Sequence, residues 1–176
     1  NFNSDNPGFQ GMIQGALSGL QNPSLFSSRA IQDKDLKISS DNSREAQIKY
    51  VEAVENISRE NIEKSNLFIR SSEELVSDIN DDCFLRTGSS LSGQRAGLYQ
   101  ALVSAYLQLT VPPEWLDFHR QIINHFNDGY LIFNSFANCQ DDPIKVSLTA
   151  EQLPDFLMAG PMIQELFDKK YQELGL

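Results

Sequence analysis

Apolar residues along this chain recur mainly at helical spacing. Trp115, His119, Ile122, Phe126, Gly129, Phe133 and Phe136 alternate steps of four and three, the seam of a helix packed in a bundle. Leu116, Ile123, Tyr130 and Ala137 widen that seam. Arg120, Gln121, Asn124, Asn127, Asp128 and Asn134 mostly take the opposite side. The pattern predicts a helix from Pro113 to about Asn138. Pro112 and Pro113 end what precedes it, and Pro113 has φ preset for a first turn. Asp141 or Asp142 then caps a new helix that opens on Pro143.

An earlier helix is predicted from a cap at Asp41, Asn42 or Ser43 to about Asn80. Asn42 with Glu45 resembles a capping box. Tyr50, Val54, Ile57, Asn61, Phe68 and Leu75 mark one seam, with Val51, Ile62, Ile69, Val76 and Ile79 beside it. Unbroken, this helix would span ~55 Å against ~37 Å for the Pro113 helix, so it should overhang the bundle unless the N-terminal arm or the C-terminal helix covers its start. A loop follows from Asp81 to Gly93. Another helix runs from near Gln94 to Leu109, with Ala96, Leu98, Tyr99, Leu102, Val103, Tyr106 and Leu109 buried. Past the Pro143 turn, Thr149 with Gln152 offers a helix restart. Gly160 and Pro161 punctuate, and Ile163, Leu166, Phe167, Tyr171 and Leu174 form a last amphipathic helix. The sum is an all-α, up-and-down bundle of about four main helices, residues 41–176.

Residues 1–40 read differently, as an arm. Nothing from Asn6 to Ser28 is charged. Phe9, Met12, Ile13, Leu17 and Leu20 make one helical stripe, and Gly11, Gly15 and Gly19 a second. Each glycine costs about 1 kcal/mol in a helix, so the arm forms a helix only when docked. It either folds onto its own domain or contacts a partner, a sister subunit or a membrane interface, where small residues permit close approach.

A hydrophobic fraction of 40% with eleven Phe supplies a core for one domain. A net charge of −10 argues against nucleic acid and against anionic membrane surfaces. No apolar run reaches the ~20 residues of a membrane span. No nucleophile elbow, Walker loop or dinucleotide-binding glycine pattern occurs. His119 and His125 are six apart and cannot share a helical zinc site. Asp78, Asn80 and Asp82 imitate a calcium loop, but Cys83 and Ser89 stand where Gly and Glu are required. A weak calcium site at the bundle end holding Asp78, Asp81, Asp82, Asp141 and Asp142 is the one metal expectation. No cofactor is expected.

The segments VPPEWLDFHRQIINHF and DDPIK resemble a family of helical proteins from candidate-phyla bacteria with very small cells. Its members carry a V-P-x-x-W/L-x-x-x-H helix and a later acidic-Asp-Pro-x-Lys turn. DLKISSDNSREAQIKYVEAVENI, Asp35 to Ile57, resembles that family's first helix. The likeness covers roughly Asp35 to Leu153, and its motifs mark helix boundaries rather than chemistry. It implies an extracytoplasmic, membrane-associated protein with a removed N-terminal anchor or signal. The two cysteines, Pro154 and Pro161 depart from the pattern.

Cys83 and Cys139 each follow a long predicted helix whose C-terminal ends share one end of the bundle. In the oxidising compartment that the resemblance implies, they should pair. The alternative is two separate thiols. The favoured function is a non-enzymatic extracytoplasmic protein-interaction or scaffold domain, attached or assembled through its N-terminal side, with an unknown protein partner or itself. One alternative is a subunit of a pilus or secretion apparatus. The other is a small-ligand binder or enzyme with an inter-helix pocket at His119, Tyr106 and Tyr130.

Overall fold

A computed structural model describes residues 30–61 and 91–176. The chain divides into two units, Asn1–Ala30 and Ile31–Leu176. The second is an all-α bundle, as the periodicity predicts. Among the described residues its helices are α1 (Arg44–Glu60), α2 (Leu91–Tyr106), α3 (Leu116–Ala137), α4 (Pro143–Glu151) and α5 (Leu153–Glu173). Tyr99 stacks on Phe133 while Tyr106 meets His119, so α2 and α3 run antiparallel. Phe133 meets Phe156 while Phe118 meets Phe167, so α3 and α5 do the same.

The α3 helix is central. Its predicted seam is buried or half-buried throughout, but Phe118, Leu131, Ile132 and Ser135 on the remaining faces are buried too. Asn124, Asn127, Asp128 and Asn134, expected on a solvent side, are half-buried. Past its exposed Asp117 and Gln121 the helix is covered on most of its faces, which the polar residues of its sequence concealed. Gly129 has a specific reason. A Cβ there would lie 2.7 Å from the Tyr99 ring. Only glycine lets Tyr99 lie across α3 and stack on Phe133, with centroids 5.5 Å apart and planes 9° apart.

The first helix departs from expectation. Ser43 is its N-cap, accepting from the Ala46 N–H, and Asn42 instead accepts the N–H of Glu114. The helix stops at Glu60 instead of running on from there unbroken. The Ser58 hydroxyl donates to the Val54 carbonyl and the Asn61 amide to the Ile57 carbonyl. The Asn61 N–H folds back to Ser58 O. Side chains thus compete with the helical ladder for its last carbonyls. The expected overhang does not arise from this helix as described.

Three further boundaries differ. The α2 helix is already helical at Leu91, ahead of Gln94, and ends at Tyr106, earlier than its apolar pattern indicated. Pro113–Trp115 is a single 3-10 turn before α3. Gly160 and Pro161 do not punctuate, because α5 passes through both. Pro161 is exposed, so the carbonyl it leaves without a helical donor faces the solvent side. Of the two candidate caps, Asp142 caps α4, accepting from the Lys145 N–H at 2.9 Å.

Two short parallel strands escaped the helical reading. Lys37–Ile38, β1, pairs with Thr110–Val111, β2. The Ser39 N–H extends the pairing to Val111 O at 2.8 Å, and Lys37 Nζ donates to Gln108 Oε1 at 2.8 Å. Residues 31–39, assigned from sequence to the arm, form a strap bonded to the bundle.

Candidate functional site

A buried polar group lies where α1, α2 and the start of α3 converge. His119 is 0% exposed, and Tyr50 and Tyr106 are each 3% exposed. The Tyr50 hydroxyl and His119 Nδ1 are hydrogen-bonded at 2.9 Å. The Tyr106 and His119 rings lie 5.7 Å apart, and Tyr50 contacts Trp115 at 5.5 Å. Nε2 of His119 is buried with no hydrogen-bond partner among the described residues. Whichever tautomer forms, one polar atom of the imidazole faces apolar surroundings, which costs about 1–3 kcal/mol.

Burial sets the protonation states. It pulls the His119 pKa down to about 4, so the ring is neutral at physiological pH. It pushes both phenols up, and for Tyr50 the nearby Tyr106 adds to the rise. A neutral imidazole between protonated phenols is a weak base, and a fully covered one meets no dissolved substrate. The set behaves as a polar tie inside the core.

Of the expected pocket, then, His119 and Tyr106 come together. Tyr130 lies eleven residues along α3 from His119, roughly 16 Å up the helix axis. It does not join them. His125 stacks on Phe156 at 4.5 Å and 12°, and burial lowers its pKa to about 4. Burial raises Asp128 to about 6.

Sequence reasoning missed the residues that fix this region. The Trp115 indole N–H donates to Gln47 Oε1 at 3.2 Å. A buried indole advertises its need for an acceptor, but nothing local points to Gln47. Lys170 Nζ donates to Glu114 O at 2.7 Å and stands 6.0 Å from the Trp115 ring. Asn124 holds the strap at both ends of one residue. Its Oδ1 accepts the Ile31 N–H at 2.7 Å, and its Nδ2 donates to Ile31 O at 3.2 Å. One turn earlier, Arg120 binds Asp33 in fork geometry, at 2.8 and 3.1 Å.

Other expected sites fall partly or wholly outside the described residues. These are the arm positions Phe9, Met12, Ile13, Leu17 and Leu20, together with Cys83, Asp78 and Asp82. Cys139 sits just past α3 and is not a free thiol. Asp141 and Asp142 are exposed, and Asp142 is engaged as a helix cap. Among the described residues no group of three or more His, Cys, Asp or Glu could hold a metal ion. None of the described helices is long and apolar enough to cross a membrane. The chain matches no protein-family model, no curated protein and no solved structure.

Proposed function

We propose that this chain is a non-enzymatic protein-interaction or scaffold domain that works outside the cytoplasm, attached or assembled through its N-terminal side. One observation carries the interaction reading: Met158 and Met162 stand 66% exposed one turn apart on α5, while the polar groups near His119 are sealed inside. Large apolar side chains left in water beside a buried core fit a contact surface better than a reaction site. The extracytoplasmic part rests on the family resemblance, and with it the pairing of Cys83 with Cys139. Such a bridge would close a long loop and add roughly 4 kcal/mol in the chain-entropy account.

Deletion of residues 1–30 tests the attachment. The shortened chain should keep its helical circular dichroism and lose self-association in sedimentation, or lose retention on membranes. Retained association without the arm would defeat the attachment reading, and lost helicity would make the arm structural instead. A thiol count on the unfolded, unreduced chain tests the compartment. Two titratable thiols would remove the bridge.

A further inference from the structure

We propose that the solvent side of α5 is a docking seam for a basic amphipathic helix of a partner protein. The inference rests on the interaction-domain reading and supplies the partner's chemistry. Asp155, Met158, Met162 and Glu165 are all exposed, and they follow one another at steps of three, four and three. That is the spacing by which one helix packs along another. The buried side of the same helix is already used by Phe156 and Ile163. The α5 helix thus carries two seams, one filled by the bundle and one open.

Composition of the open seam selects its occupant. Its centre is two thioethers, side chains flexible enough to fit a range of apolar shapes. The exposed ring of Pro161 lies beside them. Its ends are carboxylates, and neither Asp155 nor Glu165 forms an ion pair with a described residue. Lys169, the next position on the seam, has Glu173 at 4.0 Å. A helix with apolar residues at its centre and Lys or Arg at its flanks would cover the methionines and neutralise both acids. The chain's net charge of −10 disfavours the other occupants, since a second copy or an anionic bilayer would bring like charge to the same face. Helix-in-groove recognition of this kind is read through anchors at such spacings.

The test uses the full chain and two synthetic helical probes, an amphipathic leucine–lysine peptide and a leucine–glutamate peptide of the same pattern. Calorimetry should show binding of the first and none of the second. The double variant Met158→Gln, Met162→Gln should weaken the leucine–lysine peptide by at least about tenfold, because two buried side chains lose their apolar contact. Asp155→Asn with Glu165→Gln should weaken it too and flatten its salt dependence. Circular dichroism of each variant confirms the fold. Unchanged binding by the methionine variant would overturn the seam, since the attraction would then be diffuse charge. Equal binding of the acidic peptide would overturn the charge argument. A concentration-dependent dimer abolished by the methionine variant would assign the face to a second copy, and methionine-dependent flotation with anionic vesicles would assign it to a lipid surface. Neither probe reads attachment through residues 1–30, so this proposal and the N-terminal one fail separately.

Discussion

The two halves of α3 are built from one apolar period but hold the molecule together differently. Around Trp115 and His119, aromatic side chains are tied by their polar tips. Tyr50 meets His119, Trp115 meets Gln47, and Asn124 and Arg120 bind the strap. Every one of those partners is more than sixty residues away in sequence. Around Gly129 and Phe133 the contacts are ring against ring. Tyr99, Phe133 and Phe156 pack face to face or edge to face, the buried Arg95 guanidinium stands 5.7 Å from the Phe133 ring centroid, and the Thr149 hydroxyl donates to Ser135 Oγ at 3.3 Å. Close packing is non-directional and tolerates relaxed partners, whereas each polar tip needs one particular atom. The N-terminal half therefore specifies which distant segments assemble, and the C-terminal half supplies packing.

Deleting mass from the packed half should have the largest effect. Phe133→Ala leaves a cavity among Tyr99, Phe136 and Phe156 and should cost about 3–5 kcal/mol in urea unfolding. A loss below about 1 kcal/mol would mean that this half is loosely packed. Gly129→Ala drives a methyl into Tyr99 and should cost about 1–3 kcal/mol.

In the polar half the single change should hurt more than the double. Tyr50→Phe leaves Nδ1 of His119 buried without its partner and should cost about 1–3 kcal/mol, whereas Tyr50→Phe with His119→Leu should be close to neutral. A double variant as unstable as the sum of its parts would show that the tie is additive packing and would erase the contrast between the halves.

The same tie predicts a pH effect. The folded-state pKa of His119 is depressed from 6.5 to about 4, so the unfolded chain binds the extra proton in that window. Stability from this residue is complete above about pH 6.5 and declines as pH falls towards 4. His125 acts in the same direction, and Asp128, raised from 3.8 to about 6, acts in the opposite one. Removing His119 with Tyr50 should flatten the acid side of the stability curve relative to wild type. An identical slope in both would show that His119 does not titrate on unfolding.

Strap variants should have the smallest effects. Asn124→Ala should cost about 1 kcal/mol for bonds at a half-buried site, and Arg120→Ala less, because its ion pair is substantially exposed. Amide exchange at Ile31 should quicken in the first variant well before global stability falls.

What could be read in the sequence divides along the same line. Periodicity located α2, α3 and the second half of α5 and named most of their buried apolar residues, because a helix facing a core must repeat its apolar positions. It placed Asp142 and Pro143 at a helix start, since a cap is a local event. It carried the first helix past Glu60, because the apolar spacing resumes beyond Asn61 while the side chains of Ser58 and Asn61 take backbone carbonyls. It put Asn124 and Arg120 on a solvent face, because nothing local marks an amide or guanidinium as bound to residues some ninety positions earlier. Helix arithmetic sets Tyr130 apart from His119, for it lies on the same side of α3 but about three turns away.

The strap has a mechanical consequence. Tension applied to the chain ahead of Ile31 enters the bundle through Asn124 and Arg120, which sit one turn apart on α3. The pull is thus passed to α3, which packs against α2, α4 and α5, before it reaches α1, which follows the strap in sequence. Tyr50 and Ser43, on and just before α1, stay shielded from the strain until that grip slips.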